Sequence, residues 1–444
     1  MGSSISRAAT DCAATARVVW LALAAGLALP GLMIGSTGCR GATKKQPGIL
    51  LITIDALRPD HLGCNGYGKG TSPNIDRLAG RGILFTQAIA QGGWTIPSVF
   101  SALSGSYPST HGVRFWYQDL PEQIEVLPAA LGRAGYRTAF FTSHGALSTH
   151  RSLQRVFGAV KGFEPANEEA LCDHALGWIR RDRTRPFFLW VHLMDTHSSA
   201  LKIPQGWLRR DQIDPAELKQ LLAAYDRGVR RADRMVGRLA RGLTAAGLGQ
   251  ETLVILSADH GEELCEHDLC FHHGNELWDT VVRVPLIISH PGAFSRPLRV
   301  SSQVQLIDLA PTIYELVGLA ADNVDGHSLL PLLTGSPRRE YTAFAEHVEH
   351  EADLRRSPWV LTRAIARTRR WKIMVTVSRG PYRAAVFDLQ ADPGERRPYP
   401  LTRAPGGLRA EIKAFIGRRQ APRSRRPTLD EQQRRRLRSL GYIQ

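Results

Sequence analysis

Two apolar segments of this 444-residue sequence end in side chains that could bind a metal ion. The segment "GILLITIDAL" carries Asp55 near its end, and the segment "TLVILSADHG" ends with Asp259, His260 and a glycine. Such apolar runs are typical of buried parallel strands, and sites form beyond the carboxyl ends of these strands. An acid at one strand end is usually a helix cap, but two such ends with an adjacent histidine favour a divalent cation. We therefore predict one metal ion, Ca²⁺ or Mn²⁺, with Zn²⁺ or Mg²⁺ as alternatives.

A hydroxyl residue, Thr95, lies in the segment "GGWTIPSVFSALSG". The segment predicts a tight loop followed by a short apolar helix that begins at Pro97, because proline is preset for the first helical turn. The hydroxyl then lies near a helix N-terminus, where backbone N–H groups favour an anion. Alone, Thr95 is a cap residue. Beside a cation, it is a candidate nucleophile for an anionic ester and a fourth metal ligand.

The elements that position these residues predict an α/β fold for residues 46–335. Helical and extended patterns alternate along this range, as in the amphipathic stretch Pro215–Ala246, which precedes an apolar strand at Thr252–His260. Strand Val282–Ser289 and helix Leu306–Val317 end the series. Alternation of this kind is typical of a doubly wound, mostly parallel sheet with helices on both faces.

The pattern changes over residues 336–417. The segments Tyr341–Glu346, Ala364–Val377 and Ala384–Leu389 alternate like antiparallel strands. They predict a small C-terminal antiparallel sheet with a helix, docked on the main domain. Residues 418–444 are predicted to form a basic linker and a terminal helix.

Residues 1–39 have the pattern of a signal peptide. Arg7 and Arg17 precede an apolar stretch that carries no charge until Arg40. "STGC" resembles a bacterial lipoprotein cleavage site with Cys39 as the lipidated residue, and an uncleaved membrane anchor is the alternative. Either reading predicts an exported protein, membrane-anchored or periplasmic or extracellular.

The formal net charge is +16, and much of it lies in the tail. Residues Arg418–Arg438 include nine arginines against Asp430 and Glu431. The tail has no interleaved aromatic residues for base stacking, so we do not expect nucleic acid as a partner. A solvated helix face explains the tail better.

Six cysteines are present without a CxxC pair, which argues against a zinc ribbon or a thioredoxin-like site. Cys265 and Cys270 could form a disulfide in an oxidising compartment. The segment "CEHDLCFHH" also suggests a zinc cluster, but no second Cys/His pair stands at zinc-site spacing.

Several long motifs resemble the sulfatase family of the alkaline-phosphatase superfamily. They run in family order from about residue 48 to 397 and include "ITIDALRPDHLGCNGYGKGTSPNIDRLAGRGILFTQAIA", "TIPSVFSALSGSYPSTHGV", "FFLWVHLMDTHS", "ILSADHGEELCEHDLCFHHGNELWDTVVRVPLIISHPG" and "VFDLQADPGERR". The resemblance implies that Asp55, Asp259 and His260 are metal ligands and that Thr95 stands at the nucleophile position.

The resemblance also implies roles for further basic residues. His197 matches a histidine that binds substrate or protonates the leaving group, and His273 matches a basic residue at the charged oxygens of the ester. His111 and Arg58 match as well, and we expect them to be scaffold residues. The substrate is then an anionic ester, carried by a small molecule, a glycan or a lipid headgroup.

The sequence departs from the family at the nucleophile. Sulfatases carry a cysteine or serine there, which is converted to formylglycine and followed by x-Pro-x-Arg. Here the residue is Thr95 and the arginine is replaced by Val99. Oxidation of threonine would give a ketone that hydrates poorly, so the usual expulsion of sulfate from a hydrated aldehyde is not open to it. A phosphothreonine can still be attacked in line by water or an alcohol.

Other family positions differ too. Ala56 replaces the second acid of the opening Asp-Asp pair, and Ser143 and His144 stand near the place of a lysine-x-histidine. "MDTHSSA" does not supply the spaced Asp-to-His pair of two-zinc diesterases, which favours one metal.

We therefore predict a metal-dependent hydrolase of anionic esters with Thr95 as nucleophile. Phosphoester or phosphodiester hydrolysis, or phosphotransfer, is favoured over sulfate ester hydrolysis. The alternatives are a genuine sulfatase without formylglycine and an inactive sulfatase-fold binding protein.

Overall fold

The strand that ends just before Asp55 lies in the middle of a large sheet. All of its residues are apolar or small, and all are buried. In this computed structural model, the described residues are 46–417 without 165, 204–207, 275, 295, 349–360 and 377–382. The predictions for residues 1–39 and 418–444 lie outside these described residues. The strands are β1 Gly48–Ile54, β2 Ile83–Ile89, β3 Arg137–Thr142, β4 Ala159–Gly162, β5 Phe187–Leu193, β6 Leu208–Arg209, β7 Thr252–Ser257, β8 Glu263–Leu264, β9 Leu269–His272, β10 Arg283–Ser289, β11 Leu298–Val300, β12 Val304–Gln305, β13 Ala343–Val348, β14 Leu361–Arg367, β15 Trp371–Thr376 and β16 Arg383–Asp388.

The helices alternate with these strands in the first part of the chain. They are α1 Pro73–Ala79, α2 Thr95–Ser104, α3 Pro108–His111, α4 Leu127–Arg133, α5 Gly145–Ser148, α6 Arg151–Val156, α7 Glu168–Arg181, α8 Pro215–Ala245, α9 Asp279–Val282, α10 Leu309–Val317, α11 Leu330–Leu333 and α12 Gly406–Gly417. Within the described part of the chain, no helix combines the length and the apolar character needed to span a bilayer.

The large sheet has the strand order β11-β2-β10-β7-β1-β5-β3-β4, and β12 also pairs with β2. Strands β7, β1, β5, β3 and β4 run parallel, whereas β10 is antiparallel to both of its neighbours. Helices α1, α7 and α8 pack together, and α2, α4 and α10 form a second group. This is the predicted doubly wound, mostly parallel α/β sheet with helices on both faces.

The small sheet has the order β13-β14-β15-β16 and is antiparallel throughout. Apolar side chains of its strands pack on Ile89, Leu277 and Val282 of the main part of the chain. Helix α12 packs on the other apolar residues of this sheet. The predicted antiparallel subdomain is therefore present, and the described residues cluster as one compact unit.

Two predicted elements differ from the structure. The single strand predicted at Ala364–Val377 was wrong: it is two antiparallel strands, because a turn closes where the Thr368 N–H donates to the Trp371 carbonyl at 2.8 Å. The helix expected to begin at Pro97 begins two residues earlier, at Thr95, with Trp94 as the N-cap residue. A Cβ atom on Gly92 would lie 2.8 Å from the Pro97 ring, so the preceding loop folds closely enough against the helix to need glycine.

Candidate active site

The central strand of the large sheet delivers Asp55 to the site. β1 lies between β5 and β7, and the Asp55 N–H continues the ladder by donating to the Leu193 carbonyl at 2.8 Å. The side chain is completely buried. The chain then turns sharply at Ala56, whose φ of 57° is in the left-handed region that non-glycine residues seldom adopt. Backbone strain of this kind concentrates at functional sites, where the surrounding contacts hold it in place.

The neighbouring strand β7 delivers the second acid. Asp259 Oδ1 accepts hydrogen bonds from the His260 N–H at 3.0 Å and from the Ala56 N–H at 3.4 Å. Asp259 Oδ2 and Asp55 Oδ1 are buried without a hydrogen-bond partner. Buried polar atoms without partners are costly, so these two oxygens fit a positively charged ligand.

The orientation of the His260 ring is fixed by its backbone. Its Nδ1–H donates to the Gly261 carbonyl at 2.8 Å, which leaves the lone pair on Nε2. Nε2 lies 3.6 Å from Asp55 Oδ1 and 3.5 Å from Asp259 Oδ2. A histidine that binds a metal typically donates its other ring N–H in this way.

Helix α2 brings Thr95 to the same place. Its Oγ1 lies 3.4 Å from Asp55 Oδ2 and 3.3 Å from His260 Nε2, and the residue has no exposed surface. The structure therefore gathers the four side chains that were predicted as metal ligands, although they are far apart in the chain.

These residues fit a single divalent cation. One ligand atom each from Asp55, Asp259 and His260 can be chosen so that all three lie within 4.8 Å of one another. Oxygen ligands of Ca²⁺ lie 2.3–2.6 Å from the ion, so two ligands of one ion are separated by at most about 5.2 Å. Burial raises the pKa of Asp55 to about 6, opposed by His260, and raises the pKa of Asp259, with Asp55 adding to that rise. A cation would offset both the burial and the repulsion between the acids.

A chain of hydrogen bonds that the sequence analysis missed ends at the Asp55 carboxylate. The Trp190 Nε1–H donates to Thr53 Oγ1 at 2.7 Å, so the Thr53 hydroxyl donates to His192 Nδ1 at 2.7 Å. His192 then carries its proton on Nε2, which lies 3.3 Å from Asp55 Oδ2. The signal was a histidine inside the apolar run "FFLWVHL", in register with Thr53 of the adjacent strand.

His197 follows β5 and is almost completely buried. The Ser199 N–H donates to its Nδ1 at 3.2 Å, so the neutral ring carries its proton on Nε2. Nε2 has no hydrogen-bond partner. Burial, followed by the nearby His273, holds the pKa of His197 well below the usual range. The ring centroid lies 5.1 Å from that of His273.

His273 lies against the metal-ligand group, with its ring centroid 4.4 Å from that of His260. Its Nδ1 lies 3.0 Å from a carboxyl oxygen of Glu262, a buried acid that the sequence analysis did not single out. Burial raises the pKa of Glu262 to about 8 and lowers the pKa of His273 to about 4. Both side chains are therefore favoured in their uncharged forms, with one proton shared between them in a hydrogen bond.

The hairpin of β8 and β9 presents His273, and Cys265 and Cys270 form a disulfide across it. The Cα atoms of the two cysteines are 4.1 Å apart. The pairing that the sequence analysis raised is thus present.

The remaining family positions lie around the site. Arg58 donates to the Glu262 carbonyl at 3.1 Å. His111 forms a hydrogen bond of 3.1 Å with Ser101 of α2. Ser143 donates to Glu168, and His144 accepts the Leu147 N–H as the N-cap residue of α5. None of these contacts is with the four side chains that were predicted as metal ligands.

A small cavity adjoins the site at the position where the resemblance places an arginine. It is lined by Val99, Trp190 and Asp259, among other residues. Val99 therefore lies in the lining of the same cavity as the Asp259 carboxylate.

Comparisons with known proteins show what the chain is similar to in sequence and in fold. The family model described as Sulfatase matches residues 47–319, and the model described as N-sulphoglucosamine sulphohydrolase, C-terminal, matches residues 268–414. Human arylsulfatase K is 23% identical over 85% of this chain and 83% of its own length. The delta 4,5-hexuronate-2-O-sulfatase of Bacteroides thetaiotaomicron is 22% identical over 81% of this chain and 86% of its own. The phosphonate monoester hydrolase of Agrobacterium radiobacter shares the fold, with a TM-score of 0.68 and 20% identity, covering 86% of this chain and 100% of that one.

Proposed function

Because the chain belongs to the sulfatase family, which consists of metal-dependent ester hydrolases, we propose that it cleaves phosphate esters with Thr95 as the nucleophile. The acceptor of the phosphoryl group is water or a second alcohol. The observation that carries this proposal is the position of the Thr95 hydroxyl between Asp55 Oδ2 and His260 Nε2.

Asp55, Asp259 and His260 would hold the divalent cation, Ca²⁺ or Mn²⁺, and Thr95 would join them. A bound divalent cation lowers the pKa of a neighbouring hydroxyl and offsets negative charge on the ester. The Thr95 proton can pass to Asp55 Oδ2, which lies 3.4 Å from the hydroxyl, since the lone pair of His260 Nε2 would be occupied by the cation. Apo hydrogen bonds of this length tighten in catalytic complexes.

Two further groups serve the ester itself. The His197 Nε2–H, which has no hydrogen-bond partner among the described residues, donates a hydrogen bond to the leaving oxygen, and that oxygen takes its proton from water because the neutral ring is too weak an acid to supply one. His273 and the N-terminus of α2 bind the non-bridging oxygens, because N–H groups at a helix start face an anion favourably.

Phosphorus is favoured over sulfur by the chemistry of threonine. The methyl group at Cβ prevents conversion to an aldehyde, so the residue acts as a plain alcohol. A sulfated threonine has no second hydroxyl to expel sulfate. A phosphothreonine is released when water or an alcohol attacks phosphorus in line with the threonine oxygen, which leaves with the bonding electrons and regains a proton.

We place this enzyme outside the cytoplasm. The signal-like pattern of residues 1–39 supports export, with Cys39 as the proposed lipid attachment site and the membrane as partner. The Cys265–Cys270 disulfide also supports export, because structural disulfides persist in oxidising compartments.

The test compares Thr95→Val, which has nearly the same shape without the hydroxyl, with Thr95→Ser, which keeps the hydroxyl. We expect Thr95→Val to lower phosphodiester turnover by at least about 10⁴-fold and Thr95→Ser to retain measurable turnover. Mass spectrometry of the Thr95 peptide, quenched in acid during turnover, should show phosphothreonine.

The same panel includes an aryl sulfate. Sulfate release that disappears in Thr95→Val would replace this proposal with a sulfatase that uses an unmodified threonine. Absence of turnover on every ester, together with absence of bound divalent ion in the purified protein, would point to an inactive binding protein. The two unpartnered carboxylate oxygens argue against that outcome.

A further inference from the structure

A larger cavity shares no lining residue with the candidate active site. Its volume is about 680 Å³, which is within the size range of pockets that hold small molecules. Its wall includes side chains from α2, α4, α6 and α10 and from the loops beside them, among them Ser104, Leu120, Val126, Arg133, Arg155 and Tyr314. We call it the α2–α10 cavity.

The floor of the α2–α10 cavity consists of buried side chains, some with hydroxyl groups and some apolar. Ser104, Leu120 and Tyr314 each expose 2% of their surface, and Val126 exposes 1%. Covering Leu120 and Val126 with the carbon skeleton of a ligand would remove further apolar surface from water, which favours binding. The floor therefore suits a molecule that has both an apolar part and a polar group.

The Tyr314 hydroxyl is buried and has no hydrogen-bond partner among the described residues. Buried tyrosine hydroxyls usually find a partner, because a polar group without one is costly to bury. Tyr136 also has a buried hydroxyl without a partner in the described part of the chain, so this feature alone does not identify a site. Unlike Tyr136, Tyr314 lines the α2–α10 cavity, where a ligand could supply the partner.

Two helices bring positive charge to this floor. Burial raises the pKa of Tyr314 and Arg133 of α4 opposes the rise, so the Arg133 guanidinium lies near enough to act on the hydroxyl. Arg155 of α6 donates from Nη2 to the Leu120 carbonyl at 2.7 Å, which holds its guanidinium at the buried wall. Within the described chain no carboxylate pairs with Arg155, and its guanidinium has further N–H donors.

Three acids also line the cavity, and they lie toward its mouth. Glu122, Glu125 and Asp322 are all exposed. Glu125 forms an ion pair with Arg133, which reduces the net charge of both. Water and salt screen exposed charges, so the choice of ligand depends on the groups at the floor rather than on these acids.

We propose that the α2–α10 cavity binds a small organic carboxylate. The carboxylate oxygens accept hydrogen bonds from the Tyr314 hydroxyl and from Arg155, and the apolar part of the ligand contacts Leu120 and Val126. One phenol and one guanidinium suit the two oxygens of a carboxylate better than the larger set of oxygens on a phosphate. This binding does not rest on the proposed function.

The α2–α10 cavity and the candidate active site are joined by one helix. Ser104 lies in the cavity wall and ends α2, and Thr95 begins the same helix, about 14 Å away along its axis. Nine of the ten residues of α2 are buried, so both ends are held by packing. A ligand in the cavity would therefore contact the element that positions the proposed nucleophile without entering the active site.

The test uses the full chain with its metal and measures binding of 4-fluorobenzoate by fluorine NMR titration. Tyr314→Phe removes only the hydroxyl, and Arg155→Gln removes the charge. The matched controls are Tyr136→Phe, which removes the other unpartnered hydroxyl named above, and Arg151→Gln, at an exposed position of α6. Because both tyrosine hydroxyls are buried without a partner, the two phenylalanine variants should unfold at the urea concentration of the wild type or a higher one.

We expect the wild type to bind 4-fluorobenzoate with a Kd below about 1 mM, and Tyr314→Phe and Arg155→Gln each to weaken binding at least about fivefold, through loss of a hydrogen bond to a charged group. The two controls should change the affinity less than about twofold, and 4-fluorobenzyl alcohol, which has no charge, should bind at least about tenfold more weakly than the carboxylate.

Absence of saturable binding would overturn the proposal. Equal affinity in the wild type and all four variants would overturn it too, because a carboxylate bound at the metal-ligand group would not depend on Tyr314 or Arg155. Inorganic phosphate that binds with a dependence on Tyr314 and Arg155, while 4-fluorobenzoate does not bind, would replace the organic carboxylate with an inorganic ion. Since binding is measured without turnover, failure of the proposed function would not change the reading of any of these results.

Discussion

Two clusters of buried charge lie on either side of the β8–β9 hairpin, and they are partnered in opposite ways. In the catalytic cluster, Asp55 and Asp259 each have a carboxylate oxygen without a hydrogen-bond partner. In the second cluster, which joins the large and small sheets, Asp279 is held by Arg367 at 2.7 Å and by Lys372 at 3.1 Å. We call this second group the bridging cluster.

The pKa values of the acids follow this difference. Burial raises the pKa of Asp55 to about 6, and the nearby His260 only partly opposes the rise. Burial would also raise the pKa of Asp279, but Arg367 and Lys372 lower it far below the usual range. The bridging cluster thus contains its own cations, whereas the acids of the catalytic cluster are placed where they could hold a metal ion. Burial of charge alone therefore does not identify a site.

We expect the largest effect from a substitution in the catalytic cluster. Asp259→Asn keeps the shape but removes one negative ligand, so we expect loss of the bound divalent ion and a fall in ester turnover of at least about 10³-fold. Metal content after dialysis, measured by inductively coupled plasma mass spectrometry, and turnover provide the readouts. The metal-free variant should unfold at the same denaturant concentration as the metal-free wild type or a higher one, because a strained acid is gone. Full metal content in the variant would remove Asp259 from the site.

The matched substitution in the bridging cluster should have the opposite profile. Asp279→Asn removes the carboxylate partner of Arg367, whereas Lys372 keeps Glu395 at 2.6 Å. Breaking a buried ion pair costs about 3–5 kcal/mol of unfolding free energy. Urea unfolding measures this loss, and the divalent ion content should equal that of the wild type. A loss of metal with unchanged stability would show that the two clusters had been assigned the wrong way round.

Much of this arrangement was predictable from the sequence. Apolar runs at β1 and β7 identified the strands that carry Asp55 and Asp259, because a buried parallel strand has a simple pattern. The long helix predicted at Pro215–Ala246 matches α8, Pro215–Ala245. Short or mixed elements such as β4 and the β8–β9 hairpin have too few residues for a pattern and were not predicted.

The site was predictable only in part, for a similar reason. Asp55, Thr95, Asp259 and His260 carry the motifs and do converge. The residues that support them were missed, because their contribution depends on neighbours brought by folding. In the sequence, His192 is only one polar residue in a strand. Its hydrogen bond to Asp55 depends on the pairing of β1 and β5 in the folded protein.

We expect a smaller effect from removing the disulfide of the hairpin that lies between the two clusters. Its His267 contacts Glu263 at 2.7 Å and the Gly394 carbonyl at 3.2 Å, next to the bridging cluster, while His273 follows its second strand toward the catalytic cluster. Removing the disulfide with Cys265→Ser/Cys270→Ser should cost about 2 kcal/mol, the expected entropy of so short a loop. Urea unfolding of the variant and the non-reduced wild type measures this difference.

The turnover of the disulfide variant should fall while that of a Cys64→Ser control, at a free cysteine, stays the same. This result would show that the hairpin positions His273. An unchanged stability in Cys265→Ser/Cys270→Ser would mean that the strand pairing alone holds the hairpin.

The smallest expected effect is on the acid dependence of stability, and it sharpens the contrast between the clusters. The folded pKa of Asp279 lies below its ordinary value of 3.8, so its contribution is fully present above about pH 4 and is lost as the pH falls below that value. One proton taken up on unfolding changes the unfolding free energy by at most about 1.4 kcal/mol per pH unit. The wild type should therefore lose stability more steeply than Asp279→Asn between about pH 4 and pH 3, in urea titrations of the metal-free proteins. Parallel slopes would mean that the Asp279 carboxylate is already protonated in the folded protein, and the ion pairs with Arg367 and Lys372 could not then account for the docking of the small sheet.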